Sequence, residues 1–123
     1  MYKYGKKSLE KLATCHEDLQ IIANELIKVM DVTILCGERG EEEQNKAYNE
    51  GKSKLQYPKS KHNKSPSIAI DLAPYPIDFE NLDRFHRMNG IIEGIAICKG
   101  IKVRMGRDFS FGDHVHTELV LEE

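Results

Sequence analysis

The chain has 123 residues, with 18 Lys and Arg against 20 Asp and Glu and a formal charge of −2; that length suits a single compact domain with one core. So even a balance offers no basic face for nucleic acid and no pull toward an anionic membrane, and no run approaches the roughly 18 apolar residues of a membrane helix. Cys15, Cys36 and Cys98 are an odd, scattered set without a Cys-x-x-Cys pair, which excludes a disulfide framework and a thiolate zinc knuckle and reads as small core residues in a reducing compartment.

The N-terminal MYKYGKKSLEKL is positive, as signal peptides begin, but no apolar run or small-residue cleavage site follows, so the chain is expected to stay where it is made. Thr14-Cys15-His16-Glu17 has the form of a capping box, and Leu19, Ile22, Ala23, Leu26, Val29 and Met30 then recur at helical spacing. Val32-Thr33-Ile34-Leu35-Cys36, ended by Gly37, reads as a buried strand. Residues 41–50 are charged, with Ala47 and Tyr48 as their few apolar points and Gly51 as a stop, which predicts a short surface helix. Residues 52–67, rich in Lys, Ser, Asn and Pro, form the longest irregular stretch, and in a compact domain such a stretch has to be held down.

Ile68-Ala69-Ile70-Asp71-Leu72 is the next strand, closed by Pro74 and Pro76, and its one acid needs a partner. Leu82, Phe85, Met88, Ile92, Ile95 and Ala96 predict a second long helix over 78–99, weakened by Gly90 and capped by Gly100. Residues 101–105 and 115–121 alternate as strands with one wet face, around a Gly-rich turn. The sum is an α+β domain, two main helices on a small, mostly antiparallel sheet.

The polar residues able to act together are His62, Asp71, Asp113, His114, His116 and Glu118, with Arg39 after the first strand. Two histidines and an acid suffice for a catalytic zinc ion that keeps one position for water. Spacing alone leaves a metal site and a satisfied polar core equally open, and period-two geometry would pair His114 with His116. His16 and His86, lacking neighbours at ligand spacing, read as capping or surface residues. Arg39 taken by itself reads as one half of an ion pair, and the lysines at 52, 54, 59, 61 and 64 as a solvated face that could also draw an anionic polymer.

The blocks Leu35 to Gln44, Ser60-Lys61-His62, Ile68 to Tyr75 and Asp113 to Leu119, in that order, resemble the D-alanyl-D-alanine carboxypeptidase and L-alanyl-D-glutamate endopeptidase family, and most closely its phage endolysin members. The resemblance implies zinc held by His62, Asp71 and His116, Asp113 as catalytic acid and base, Arg39 as the transition-state arginine and Ser60 near the substrate or its loop, with Glu118 behind a ligand histidine. It places Asp113 in a turn before the last strand, where alternation does not apply. The His62 to Asp71 interval is longer than in the commoner pattern and carries Pro66-Ser67 where that pattern has a glycine, a change worth only a few tenths of a kcal/mol in loop closure. The implied substrate is the peptidoglycan stem peptide, cut by a monomer with no separate wall-binding domain, made in the host cytoplasm and released to the wall by another protein. Hydrolysis of the L-alanyl-D-glutamate bond heads the readings. D,D-carboxypeptidase or dipeptidase activity, a catalytically silent wall-binding or virion domain, and a zinc hydrolase of non-peptide amides stand beside it.

Overall fold

The computed structural model describes residues 1–121 as four helices and one four-stranded antiparallel sheet of order β1-β2-β4-β3. In chain order these are α1 (Lys6–Leu12), α2 (Glu17–Leu26), β1 (Val32–Cys36), α3 (Glu41–Asn49), β2 (Ala69–Pro74), α4 (Leu82–Lys99), β3 (Val103–Met105) and β4 (His116–Leu119). Short 3₁₀ turns lie at Lys61–Asn63 and Gly106–Asp108. No helix among the described residues is long and apolar enough to cross a membrane.

The core lies between the sheet and helices α2 and α4. Phe85, Met88, Ile92 and Ala96 recur along one side of α4 and are buried with Leu19, Ile22, Ala23 and Leu26 of α2. Ile34 of β1, Ile70 and Leu72 of β2 and Leu119 of β4 close it from the sheet side. Gly100 ends α4 in the left-handed conformation at φ 69°, the position where glycine carries no Cβ penalty.

Alternation then sends the remaining side chains of the central strands outward. Asp71 pairs with His116 across the β2–β4 ladder and Ala69 with Glu118, while Cys36 of β1 opposes Asp71 beside a register shift. Cys36, Asp71, His116 and Glu118 therefore share the sheet face away from Ile70 and Leu72.

Several sequence expectations shift. The N-cap of α2 is His16, whose Nδ1 accepts the Asp18 N–H at 3.0 Å. Thr14 caps nothing, because its hydroxyl donates to the Lys11 carbonyl and accepts the Glu38 N–H at 2.8 Å, a tertiary use that outcompetes the local box. The short helix α1 carries too few apolar residues to announce itself; Ser8 secures it to β1, accepting the Ile34 N–H at 3.0 Å. Pro74 lies inside β2, at its end, rather than beyond it. The last two strands are shorter than their alternating patterns, at Val103–Met105 and His116–Leu119.

Candidate functional site

The outward face of β2 and β4 forms the floor of a cleft of about 360 Å³, lined by His62, Asp71, Asp113, His116, Glu118 and Arg39 together with residues 51–55 and Phe109 and Phe111. His62 arrives from the 3₁₀ turn, which Ser60 caps. The Ser60 hydroxyl accepts the His62 N–H at 3.2 Å, while the Asn63 side chain reaches back to the Ser60 N–H at 3.0 Å. Ser60 is buried and serves the loop here.

Two imidazoles meet one carboxylate. His62 Nε2 and His116 Nδ1 each lie 3.1 Å from Asp71 Oδ1. The far nitrogen of each ring is already engaged, His62 Nδ1 by the Gly37 carbonyl at 2.7 Å and His116 Nε2 by Glu118 Oε1 at 2.9 Å. A carbonyl and a carboxylate only accept, so both far nitrogens carry the hydrogen. In the neutral rings the inner nitrogens then present bare lone pairs to a carboxylate oxygen. Three lone pairs converging at this range repel unless a cation, or a proton on each ring, lies among them.

The electrostatics agree. Burial disfavours a charged His62, but hydrogen bonds to Asp71 and Cys36 outweigh it and raise its pKa to about 10. For His116 the same burial is outweighed by Asp71 and Glu118, to about 9. Burial also works against ionised Asp71, yet its two histidines hold it well below the usual carboxylate range. Asp113 moves the other way, raised by burial and by the charge of Asp71. It sits in the loop before β4, so strand alternation governs His116 and Glu118 without reaching it.

Arg39 is fixed rather than free. Its backbone N–H donates to the His62 carbonyl at 2.8 Å, Nη1 donates to Gln44 Oε1 at 3.0 Å, and Nη2 lies 3.8 Å from Asp71 Oδ2. The anchor is Gln44, fully buried in a helix otherwise read as a surface element. Its amide donates to Ser53 Oγ at 2.9 Å and to the Leu55 carbonyl at 2.6 Å, and its oxygen also accepts from Asn63 at 3.2 Å. This one side chain ties the long loop to the arginine; among the polar residues of 41–50, which include the amides Gln44, Asn45 and Asn49, no local pattern singled it out.

Cys36 belongs to the site, contrary to its reading as a core residue. Cys36, His62 and Asp71 place donor atoms within 4.8 Å of one another and could hold a metal ion. The Cys36 thiol is 3.5 Å from Arg39 Nη2. Burial raises its pKa, but His62 and Arg39 overcome this and lower it. Cys15 is buried as expected, and Cys98 is exposed instead. His114 stands apart from the cleft, its ring edge-on to His86 of α4 at 5.3 Å.

A family model described as phage L-alanyl-D-glutamate peptidase matches residues 1–121. The L-alanyl-D-glutamate peptidase of Escherichia phage T5 is 34% identical over 124 residues, which cover 96% of this chain and 89% of that protein. The crystal structure of the L-Ala D-Glu endopeptidase ChiX from Serratia marcescens has the same fold, with a TM-score of 0.82 at 20% identity over 97% of this chain and 91% of that one.

Proposed function

The chain belongs to the phage L-alanyl-D-glutamate peptidase family, and we propose that it hydrolyses the L-alanyl-D-glutamate bond of peptidoglycan stem peptides, with a zinc ion held by His62, Asp71 and His116. The observation that carries the metal is the pair of imidazoles whose outer nitrogens are committed to Gly37 and Glu118 while their inner nitrogens face one oxygen of Asp71. Two nitrogens and a carboxylate oxygen are the donor set of a catalytic zinc site with a place left for water. Bound there, zinc supplies a water acidified toward a pKa of about 7 and an electrophile for the scissile carbonyl.

The chain's own groups do the rest. Asp113 accepts the proton of the attacking water and returns it to the leaving amine, a dual task helped by a pKa that burial and Asp71 raise toward the working range. Arg39, pinned by Gln44 and Asp71, is a fixed positive charge beside the place where the carbonyl oxygen becomes negative, so little reorganisation is needed during the reaction. Glu118 orients His116 and fixes its tautomer. Every group invoked comes from one chain, which suits a monomer.

The test is turbidity loss of outer-membrane-permeabilised Gram-negative cells, run with the protein, its His62→Ala form and a chelated sample, with mass spectrometry of the released muropeptides. Lysis by the untreated protein alone, with new free D-glutamyl amines, is expected. No cleavage together with negligible bound metal would overturn the reading.

A further inference from the structure

Hydrolysis at an L-alanyl-D-glutamate bond brings an anion into the cleft, because a glutamyl residue has one carboxyl group more than a single chain linkage uses. The floor it approaches already holds three acids, Asp71, Asp113 and Glu118. A cation at the mouth is needed to receive the substrate's carboxylate. Arg39 is committed to Gln44, Asp71 and Cys36. Lys52 pairs with Glu50 at 3.2 Å, and Lys61, in no ion pair among the described residues, has no ring or partner there to steady it at the mouth while its charge bears on Glu118.

Lys54 remains. Its ammonium lies 5.2 Å from the centre of the Phe111 ring, and it takes part in no ion pair among the described residues. Lys54 comes from the loop after α3 and Phe111 from the loop before β4, so their contact joins two walls of the cleft. Phe111 itself leans on Phe109, which packs 5.7 Å from the His116 ring. A ring face holds an exposed ammonium weakly and leaves its other donors open, so a carboxylate can bind without Lys54 first breaking an ion pair.

Resting on the peptidase reading above, we propose that Lys54, steadied over Phe111, is a specificity-determining residue that receives the free D-glutamyl carboxylate and selects acidic stem peptides over amidated ones. Lys54→Gln removes the charge at similar length, and Lys54→Arg retains it.

The experiment compares wild type, K54Q and K54R on two synthetic stem peptides that differ only in carrying a D-glutamyl carboxylate or carboxamide. Wild type is expected to show a KM about fivefold lower for the acid, the size of one partly exposed charge pair. K54Q is expected to bring the two KM values together by raising that for the acid, with metal content and Tm matching wild type, and K54R to keep the preference. A K54Q protein that retains the wild-type ratio, or a wild type that shows no preference, would overturn the assignment alone. A wild type that cleaves neither peptide would overturn the peptidase reading and this proposal with it.

Discussion

Gly106 is where the smallest change should disturb the chemistry most. It opens the 3₁₀ turn after β3, and its carbonyl accepts the Asp113 N–H at 2.8 Å, fastening the loop that carries the proposed general base. A Cβ at this position would lie 2.2 Å from the Asp113 carbonyl oxygen, 3.0 Å from Asp113 Cβ and 2.9 Å from His116 Cβ, where ordinary contact begins at 3.4 Å. The neighbours are backbone and Cβ atoms, which cannot swing aside, so Gly106→Ala must push Asp113 away by about 1 Å, a misplacement that costs roughly 100-fold in rate. Overpacking a buried turn should cost about 1–3 kcal/mol, read as a lowered Tm. The control is Gly94→Ala in the interior of α4, where a Cβ meets nothing within 4 Å; it should gain about 0.5–1 kcal/mol and keep its activity. Initial rates on a defined stem peptide, with Tm from calorimetry, decide the matter. A Gly106→Ala protein with lowered Tm and wild-type kcat/KM would show that the placement of Asp113 does not govern turnover.

Three further outcomes follow from the same geometry. Asp113→Asn keeps the shape and removes the proton acceptor, so kcat should fall about 10²- to 10⁴-fold while bound metal stays at the wild-type level; loss of metal instead would make Asp113 a ligand. Glu118→Gln leaves His116 a neutral acceptor in place of a charged one and should weaken zinc binding by about 10- to 100-fold, measured by competition with a chromogenic chelator; an unchanged affinity would remove Glu118 from the site. In the chelated protein His62 and His116 hold their protons up to about pH 10 and 9, above their unfolded values near 6.5. Their contribution to metal-free stability is therefore complete below pH 6.5 and lost as the pH rises through 9 and 10. Zinc must displace both protons, so near pH 7 calorimetry in buffers of different ionisation enthalpy should count about two released per ion, and affinity should rise about 100-fold per pH unit; a count near zero would contradict the proton-bridged site.

What could be read from the chain alone divides by range. The β1 segment, the glycine stops after α3 and α4 and the two long amphipathic stretches follow from spacings of a few residues, and these elements appear close to where the sequence predicts them. The misses are residues whose partners lie far along the chain. Thr14 has the local pattern of a helix cap, but its hydroxyl serves Glu38, and Ser8 is spent on Ile34 of a strand not yet formed in sequence terms. Gln44 looks like one more polar residue on a wet helix until the fold brings Arg39, Asn63 and Leu55 around it. Cys36 comes beside His62 and Asp71 because the β1–β2 register sets it opposite Asp71, and no local rule states a register.

The grouping of the candidate site was more legible than its scaffold, and the sheet explains why. Asp71 and His116 are directly opposed on adjacent strands, and Glu118 lies two residues along the same face from His116, so three members share one local geometry once β2 and β4 pair. His62, Arg39 and Asp113 depend on loops, and each is clamped by backbone, His62 through the Gly37 carbonyl, Arg39 through the His62 carbonyl and Asp113 through the Gly106 carbonyl. Gly37 itself has no room for a side chain, since a Cβ would meet Thr14 Oγ1 at 2.4 Å and the Lys11 carbonyl at 2.5 Å. The residue that orients His62 is thus held by the same Thr14 that declined to cap a helix, which couples the packing of the N-terminal helices to the aim of an imidazole on the opposite face of the sheet.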